Sequence, residues 1–205
     1  MKKENVRITN VLRNIMINMS FEQRQIIVDI LLDEIKRQKE IILRQQKEQE
    51  KGILYTLQRI QEEINETTQN ESISCKAGCD FCCHIFTKTT EIETKIALEA
   101  YSGEIDMARL KKQALCESEH DYRQLSYSDR RCVFLNEENK CSIYSSRPSA
   151  CRKYMVKSPA EQCNTEKHPN GQVEVLVNNK AEIISTAIIN VFESDTFAKQ
   201  LLKFK

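Results

Sequence analysis

On both sides of a polar stretch, the first third of the chain carries apolar residues at every third or fourth position, which is the spacing of one helix face. Five such residues predict a short amphipathic helix: Ile8, Val11, Leu12, Ile15 and Met19. A second, longer helix is predicted after Ser20, whose side chain and that of Gln23 fit a capping box. A polar stretch and Gly52 then precede a narrow apolar stripe formed by Ile53, Leu57, Ile60 and Ile64.

The polar stretch at 44–51 contains no apolar residue, so it either stands in solvent or breaks the helix. Two arrangements of these segments follow. The first is an antiparallel helical hairpin that packs on the rest of the chain, and the second is an arm that dimerises or docks on another protein. The hairpin is favoured, because the apolar stripe is not sustained over the several heptads that a coiled coil requires.

The remainder of the chain is also patterned mainly for helices. Thr90 and Glu93 fit a second capping box, and residues 105–118 predict a helix with Leu110 and Leu115 turned inward. Alternation around Val175 predicts a short strand or an extended segment along the core, and residues 180–193 predict a buried helix. We predict a mainly α fold: an N-terminal helical hairpin or long helices in region 1–70, and an irregular cysteine-rich domain in region 71–205. That domain would contain helices, a C-terminal helical segment and at most a short hairpin.

Composition excludes several classes of partner. The chain has 205 residues, of which 30% are charged, and its formal net charge is +1. A nearly neutral chain gives no electrostatic reason to expect nucleic acid or an anionic membrane as a partner. We find no signal-peptide pattern after Met1 and no apolar run near the ~20 residues that a membrane helix needs. We therefore expect a cytoplasmic protein with no membrane partner.

The chemistry of the chain is concentrated in its nine cysteines. Four lie within nine residues and four more follow downstream: Cys75, Cys79, Cys82 and Cys83, then Cys132, Cys141, Cys151 and Cys163. An odd count excludes complete internal disulfide pairing, and thiols stay reduced in the cytoplasm. Thiolates are soft ligands for zinc or iron ions and for iron–sulfur clusters. Most of these thiolates are therefore predicted to converge on metal, whereas Cys116, beside Leu115 in a helical pattern, is predicted to be a buried packing residue.

Three blocks of sequence around these cysteines resemble a known family. They are Cys75-x3-Cys79-x2-Cys82-Cys83, Cys132-x-Phe134-Leu135 and Cys141-Ser-Ile-Tyr144-x2-Arg147-Pro148-x2-Cys151-Arg152-x-Tyr154. Together they are similar to the YkgJ-type cysteine-cluster family, whose members are described as zinc- or iron-chelating. The resemblance covers residues 75–163 and implies metal ligands drawn from Cys75, Cys79, Cys82, Cys83, Cys132, Cys141, Cys151 and Cys163.

Eight thiolates divide naturally into two sets of four, although one closed site with spare thiols fits the sequence equally well. Arg147 and Arg152 would offset the negative charge of a thiolate site and donate hydrogen bonds to sulfur or to nearby carbonyl groups. The alternative for both arginines is a surface ion pair. His84 is either a further ligand or a partly exposed neighbour of the site, and His120 and His168 are expected on the surface.

Two functions follow from these residues and from the resemblance. The favoured one is a metal-binding protein that chelates a zinc or iron ion and has no catalytic residues. The other is an iron–sulfur enzyme similar to flagellin lysine methylases, with a [4Fe-4S] cluster and S-adenosylmethionine, because some larger relatives of the family are regarded as such enzymes. Against it, the sequence after Cys83 does not alternate strand and helix as a barrel requires, and it lacks a Gly-rich methyltransferase loop. With either function, the N-terminal helices could bind a protein partner or self-associate.

Overall fold

The structure is a computed structural model that describes residues 6–44, 46–69, 71–76, 78–169 and 171–205. The first five residues and the predicted boundary at residue 70 lie outside these ranges. The described chain is mainly helical with short strands, which confirms the predicted fold class. Within these ranges, no helix combines the length and the apolar character needed to cross a membrane.

Three helices form the N-terminal third of the chain: α1 (Asn10–Met16), α2 (Phe21–Ile42) and α3 (Gln46–Thr68). The Ser20 hydroxyl accepts a hydrogen bond from the Gln23 backbone N–H, and the Gln23 side chain accepts one from the Ser20 backbone in return. The predicted capping box is therefore confirmed. Because α2 ends at Ile42 and α3 begins at Gln46, the polar stretch contains a helix break and then continues as the first turns of α3.

Helices α2 and α3 pack on each other as the predicted hairpin, with polar contacts at their interface. Arg59 forms an ion pair with Glu34 at 2.8 Å, and the Gln38 side-chain amide donates to the Thr56 hydroxyl at 3.3 Å. Gln38 and Thr56 are fully buried. Since buried polar groups are costly without a partner, these pairs favour one register between the two helices.

Short helices and strands follow in the cysteine-rich part. The helices are α4 (Glu91–Glu99), α5 (Met107–Ala114), α6 (Glu119–Gln124), α7 (Tyr127–Arg130), α8 (Ser149–Lys153), α9 (Asn179–Val191) and α10 (Phe197–Leu202). The strands are β1 (Lys88–Thr90), β2 (Met155–Val156), β3 (Val175–Leu176) and β4 (Ser194–Thr196). β1 pairs antiparallel with β4, and β2 pairs antiparallel with β3. The sequence analysis predicted a strand at β3 but not at β1, β2 or β4.

The helices predicted in this part are present, with one error about which side chain turns inward. Glu93 completes the predicted capping box of α4, and α9 is buried. Leu110 is fully buried as predicted, but Leu115 is 82% exposed, so that prediction is wrong. Leu115 follows Leu110 by five residues, which is about 140° around an α-helix, so the two side chains lie on different faces. Cys116 takes the inward position and is buried, as predicted for a packing residue.

The hydrophobic core joins the N-terminal and C-terminal parts of the chain. The apolar stripe of α3 is buried against α4 and α9 in a cluster that includes Ile53, Leu57, Ile60, Ile64, Ile92, Ile96, Ile184 and Ile188. A second cluster packs α1 and α2 onto α9 through Leu12, Leu31, Ile35, Ile183 and Ala187. The two sides of the predicted division at residue 70 therefore share a core, and the division into 1–70 and 71–205 stays a prediction.

Candidate metal centre

The first cysteine loop is a tight turn that brings several sulfurs into one place. Gly78 has a φ of +85°, a conformation that L side chains rarely adopt, so glycine suits the position before Cys79. The 3₁₀ turn Phe81–His84 follows and carries Cys82 and Cys83. The loop thus presents sulfurs on consecutive residues, and the surrounding elements bring the remaining cysteines to it.

The second cysteine block reaches the first through a backbone contact. The Cys132 N–H donates to the Cys83 carbonyl oxygen at 2.8 Å. From Cys132 the chain makes a hairpin-like turn, in which Leu135 and Cys141 form an antiparallel bridge. Cys132 and Cys141 both pack against the apolar cluster around Phe134. The turn therefore returns two sulfurs to the neighbourhood of the first loop.

Cys151 lies on α8, whose N-terminus is held by a buried carboxylate. The Ser149 backbone N–H donates to Glu93 Oε1 at 2.8 Å. Glu93 Oε2 also accepts a hydrogen bond from the Thr90 backbone N–H at 3.1 Å, so one carboxylate serves the starts of α4 and α8. The capping box identified Glu93 in the sequence, but no local pattern indicated its contact with Ser149.

Cys75, at the start of the first block, is contacted by β2, and Cys163 approaches the loop from a separate 3₁₀ turn. The Val156 N–H of β2 donates to the Cys75 sulfur at 3.4 Å. Cys163 ends the 3₁₀ turn Ala160–Cys163, which packs against the turn Phe81–His84. All eight predicted ligands are therefore placed around the first cysteine loop.

Electrostatic interactions between the sulfurs divide seven of the eight cysteines into two groups, whereas Cys82 acts on all seven and is assigned here to the first group. We call them the loop group, containing Cys75, Cys79, Cys82 and Cys163, and the core group, containing Cys83, Cys132, Cys141 and Cys151. Within each group, negative charge on one sulfur raises the pKa of its neighbours. Cys82 interacts with both groups, because it also acts on Cys132, Cys141 and Cys151. The two groups thus meet at the adjacent residues Cys82 and Cys83.

Burial and crowding oppose the accumulation of negative charge on these sulfurs. Burial, together with neighbouring sulfurs, raises the pKa of Cys132 to about 12 and that of Cys163 to about 11. A hydrogen bond from the Cys83 side chain, with a smaller contribution from Arg147, lowers the pKa of Cys82 to about 7. The same hydrogen bond raises the pKa of Cys83. A bound cation would offset the charge that the crowded thiolates cannot otherwise tolerate.

The two arginines of the third block, Arg147 and Arg152, support the site in different ways. The Arg152 guanidinium is buried, and its Nε donates to the Arg147 carbonyl oxygen at 2.9 Å, which agrees with the predicted bonds to carbonyl groups. Arg147 lies over the Tyr144 ring at 3.9 Å, and its Nη2 donates to Gln61 Oε1 of α3 at 3.1 Å. In the described part of the chain neither arginine forms an ion pair with a carboxylate. Gln61 was missed in the sequence because nothing local marks it as a partner of the cysteine domain.

The remaining candidate residues are the three histidines and Cys116. His84 is buried and its ring stacks on Tyr127 with 4.0 Å between centroids, so the expectation of a partly exposed neighbour is wrong. His120 and His168 are exposed, as predicted. Cys116 is influenced by charged side chains of α6 and α10 and not by the other sulfurs, which fits its predicted packing role.

The donor set fits a soft metal ion. All nine cysteines are free thiols, and six of the eight predicted ligands line one cavity of about 490 Å³. Four thiolates form the ligand set of structural zinc sites and of iron–sulfur clusters. Among the residues that the structure describes, no three Cys, His, Asp or Glu side chains are already closed into a metal-binding arrangement. Metal binding would therefore draw the sulfurs of a group closer together.

The fold and the site define a mainly helical protein built around a cysteine cluster. Residues 74–173 match the family model CxxCxxCC, described as "Putative zinc- or iron-chelating domain". The match covers just under half of the chain, includes all eight predicted ligands and confirms the resemblance found in the sequence. No curated protein and no solved structure matches the chain significantly.

Proposed function

We propose that this protein chelates zinc or iron through the thiolates of Cys75, Cys79, Cys82, Cys83, Cys132, Cys141, Cys151 and Cys163. The observation that supports the proposal is the gathering of free thiols from five separate stretches of chain: six of them line one cavity, and Cys75 and Cys163 interact electrostatically with Cys82. Structural packing alone does not require eight cysteines in one place. A soft cation does, because several thiolates must reach it together.

We further propose two metal sites, one in the loop group and one in the core group. Each group supplies four sulfurs, which is the number that a closed tetrahedral site takes. Cys82 and Cys83 are assigned to different groups, and the hydrogen bond between their side chains places the two groups side by side. The positive charge of Arg147, close to both groups, would offset part of the negative charge of the thiolate sites. Thiols gathered in this way stay reduced in the cytoplasm, where we place the protein.

The proposal is tested by metal analysis of protein purified without exposure to oxygen. We expect about two zinc or iron ions per chain, one for each four-thiolate group. Visible absorbance distinguishes the chemistry, because zinc sites are colourless whereas an iron–sulfur cluster is coloured. Protein that holds no metal after anaerobic purification, and takes up none when zinc or iron(II) is added, would refute the proposal.

Cysteine variants test the ligand assignment. Cys151→Ser should remove the ion of the core group and Cys163→Ser that of the loop group, each lowering the metal content by about one ion per chain. Cys116→Ser is the matched control, because Cys116 is a buried thiol outside both groups. Loss of metal in the control, or full metal content in Cys151→Ser, would show that the assignment is wrong.

A further inference from the structure

The two cysteine groups meet at a pair of adjacent residues. Cys82 and Cys83 are the only two cysteines that follow each other directly in the 205-residue sequence, and both lie in the 3₁₀ turn Phe81–His84. Their side chains share a hydrogen bond, so the two sulfurs are in contact. Because Cys82 belongs to the loop group and Cys83 to the core group, this contact joins the two groups.

A covalent bond between these two sulfurs would affect both groups equally. A disulfide takes its sulfurs away from metal, because the thiolate is the form that binds. A disulfide within one group would remove two ligands from that group and leave the other group complete. A disulfide between Cys82 and Cys83 would instead remove one ligand from each group. Neither group would then hold the four thiolates that a closed tetrahedral site takes.

Both sulfurs can be reached from solvent. Cys82 and Cys83 are partly exposed and line the cavity of about 490 Å³. The exposed residues Lys140 and Tyr144 line the same cavity, so it opens to solvent. A molecule as small as hydrogen peroxide can therefore enter it and meet the two sulfurs.

A disulfide between neighbouring residues is strained. Consecutive Cα atoms across a trans peptide are about 3.8 Å apart, whereas disulfides usually join Cα atoms about 4.4–6.8 Å apart. Strain makes a disulfide easier to reduce, and strained disulfides are typically the labile or regulatory ones. A reducing thiol would therefore open a bond between Cys82 and Cys83 again.

We propose that Cys82 and Cys83 form a reversible redox switch: hydrogen peroxide joins them as a disulfide, and metal is released from both groups together. The inference rests on the proposed metal-binding function, because it assigns a regulation to the same sulfurs. It goes beyond that function by making metal retention depend on the level of peroxide.

The oxidation balances in two displacement steps. The Cys82 thiolate attacks one peroxide oxygen and the O–O bond breaks, which leaves Cys82 as a sulfenic acid while the departing hydroxide takes up a proton to become water. The Cys83 thiolate then attacks the Cys82 sulfur, the S–O bond breaks, and the second hydroxide also leaves as water. The two sulfurs lose two electrons, and hydrogen peroxide gains them.

Treatment of the zinc-loaded full chain with one equivalent of hydrogen peroxide tests this inference, because one equivalent oxidises a single pair of thiols per chain. We expect zinc to leave both groups, as a colorimetric chelator reports against an untreated sample, and dithiothreitol with added zinc to restore it. After alkylation of free thiols, trypsin releases peptide 77–88, which contains Cys79, Cys82 and Cys83. Mass spectrometry should find Cys79 alkylated and the other two joined. Zinc retained in full, or released while Cys82 and Cys83 are still alkylated, would overturn the switch.

Two variants that each remove one core-group ligand locate the switch. Cys83→Ser and Cys151→Ser should both lack the zinc ion of the core group and keep that of the loop group. Only Cys83→Ser lacks the neighbouring pair of thiols, so peroxide should release its remaining zinc at least roughly fivefold more slowly than that of Cys151→Ser. Equal rates of release in the two variants would refute the assignment to Cys82 and Cys83.

Metal content measured before peroxide is added separates the two proposals. If the wild-type chain binds metal but forms no disulfide between Cys82 and Cys83, the redox inference fails and the metal-binding function stands. If the chain takes up no metal, the metal-binding function fails at the first step, and the switch fails with it.

Discussion

Glu93 shows how a single buried residue positions part of the metal centre. Its carboxylate is 1% exposed and accepts hydrogen bonds from the backbone N–H groups of Thr90 and Ser149. These N–H groups belong to the starts of α4 and α8, where the helix itself leaves them unsatisfied. Because Cys151 lies two residues after Ser149, the position of its sulfur depends on this carboxylate.

We expect Glu93→Ala to destabilise the protein by about 3 kcal/mol, since it leaves buried N–H groups without an acceptor. Chemical denaturation of the metal-loaded chain measures the effect, and metal content should fall because α8 is no longer held. Glu91→Ala is the matched control on the same helix. Glu91 forms a partly exposed i,i+4 ion pair with Lys95, so its loss should cost no more than about 0.5 kcal/mol. Equal losses in the two variants would contradict the role of Glu93.

At the scale of elements, the hairpin of α2 and α3 depends on close approach of the two helices. Gly52 lies in α3, and a Cβ atom at this position would come within 2.8 Å of Ile41 Cγ2 on α2. Ile41 is itself buried, so its side chain has little freedom to move aside. The sequence indicated Gly52 only as the end of a polar stretch, whereas the structure places it inside a helix at a contact.

Gly52→Val should therefore destabilise the chain by roughly 1–3 kcal/mol, as overpacked contacts do. Lys51→Val places the same side chain at the neighbouring, exposed position of α3 and isolates the effect of valine in a helix. Thermal unfolding of both variants provides the comparison. A Gly52→Val variant as stable as Lys51→Val would show that α2 and α3 are not in close contact there.

At the scale of the whole molecule, α9 links the N-terminal hairpin to the cysteine domain. It packs against α1, α2 and α3, while α8 also contacts α3. The hydrogen bond between Gln61 and Arg147 adds a polar link between α3 and the metal centre. The cysteine-rich part is otherwise built from short helices and two-residue or three-residue strand pairs, which offer little stability of their own.

Removal of metal with a strong chelator should therefore lower the unfolding temperature and loosen the cysteine-rich part first. Structural zinc contributes about 10–16 kcal/mol of binding free energy in small zinc domains, and that energy becomes folding energy. Hydrogen exchange measured by mass spectrometry should show the largest loss of protection at 78–84 and 132–163 and a smaller loss in α2. Uniform loss along the chain, or none, would contradict a metal-stabilised cysteine region.

The sequence by itself determined the mainly helical class, the helix starts at Ser20 and Thr90, the buried helix α9 and the cysteine block that the family model matches. These features depend on residues close together in the chain, so periodicity, capping and spacing reveal them. Only the tertiary structure decided that the hairpin shares a core with α9, that Glu93 reaches Ser149, that His84 is buried and that Leu115 is exposed. The same holds for the grouping of the eight sulfurs around Cys82. Each of these depends on contacts between distant segments, and local sequence pattern carries no record of which distant segments will meet.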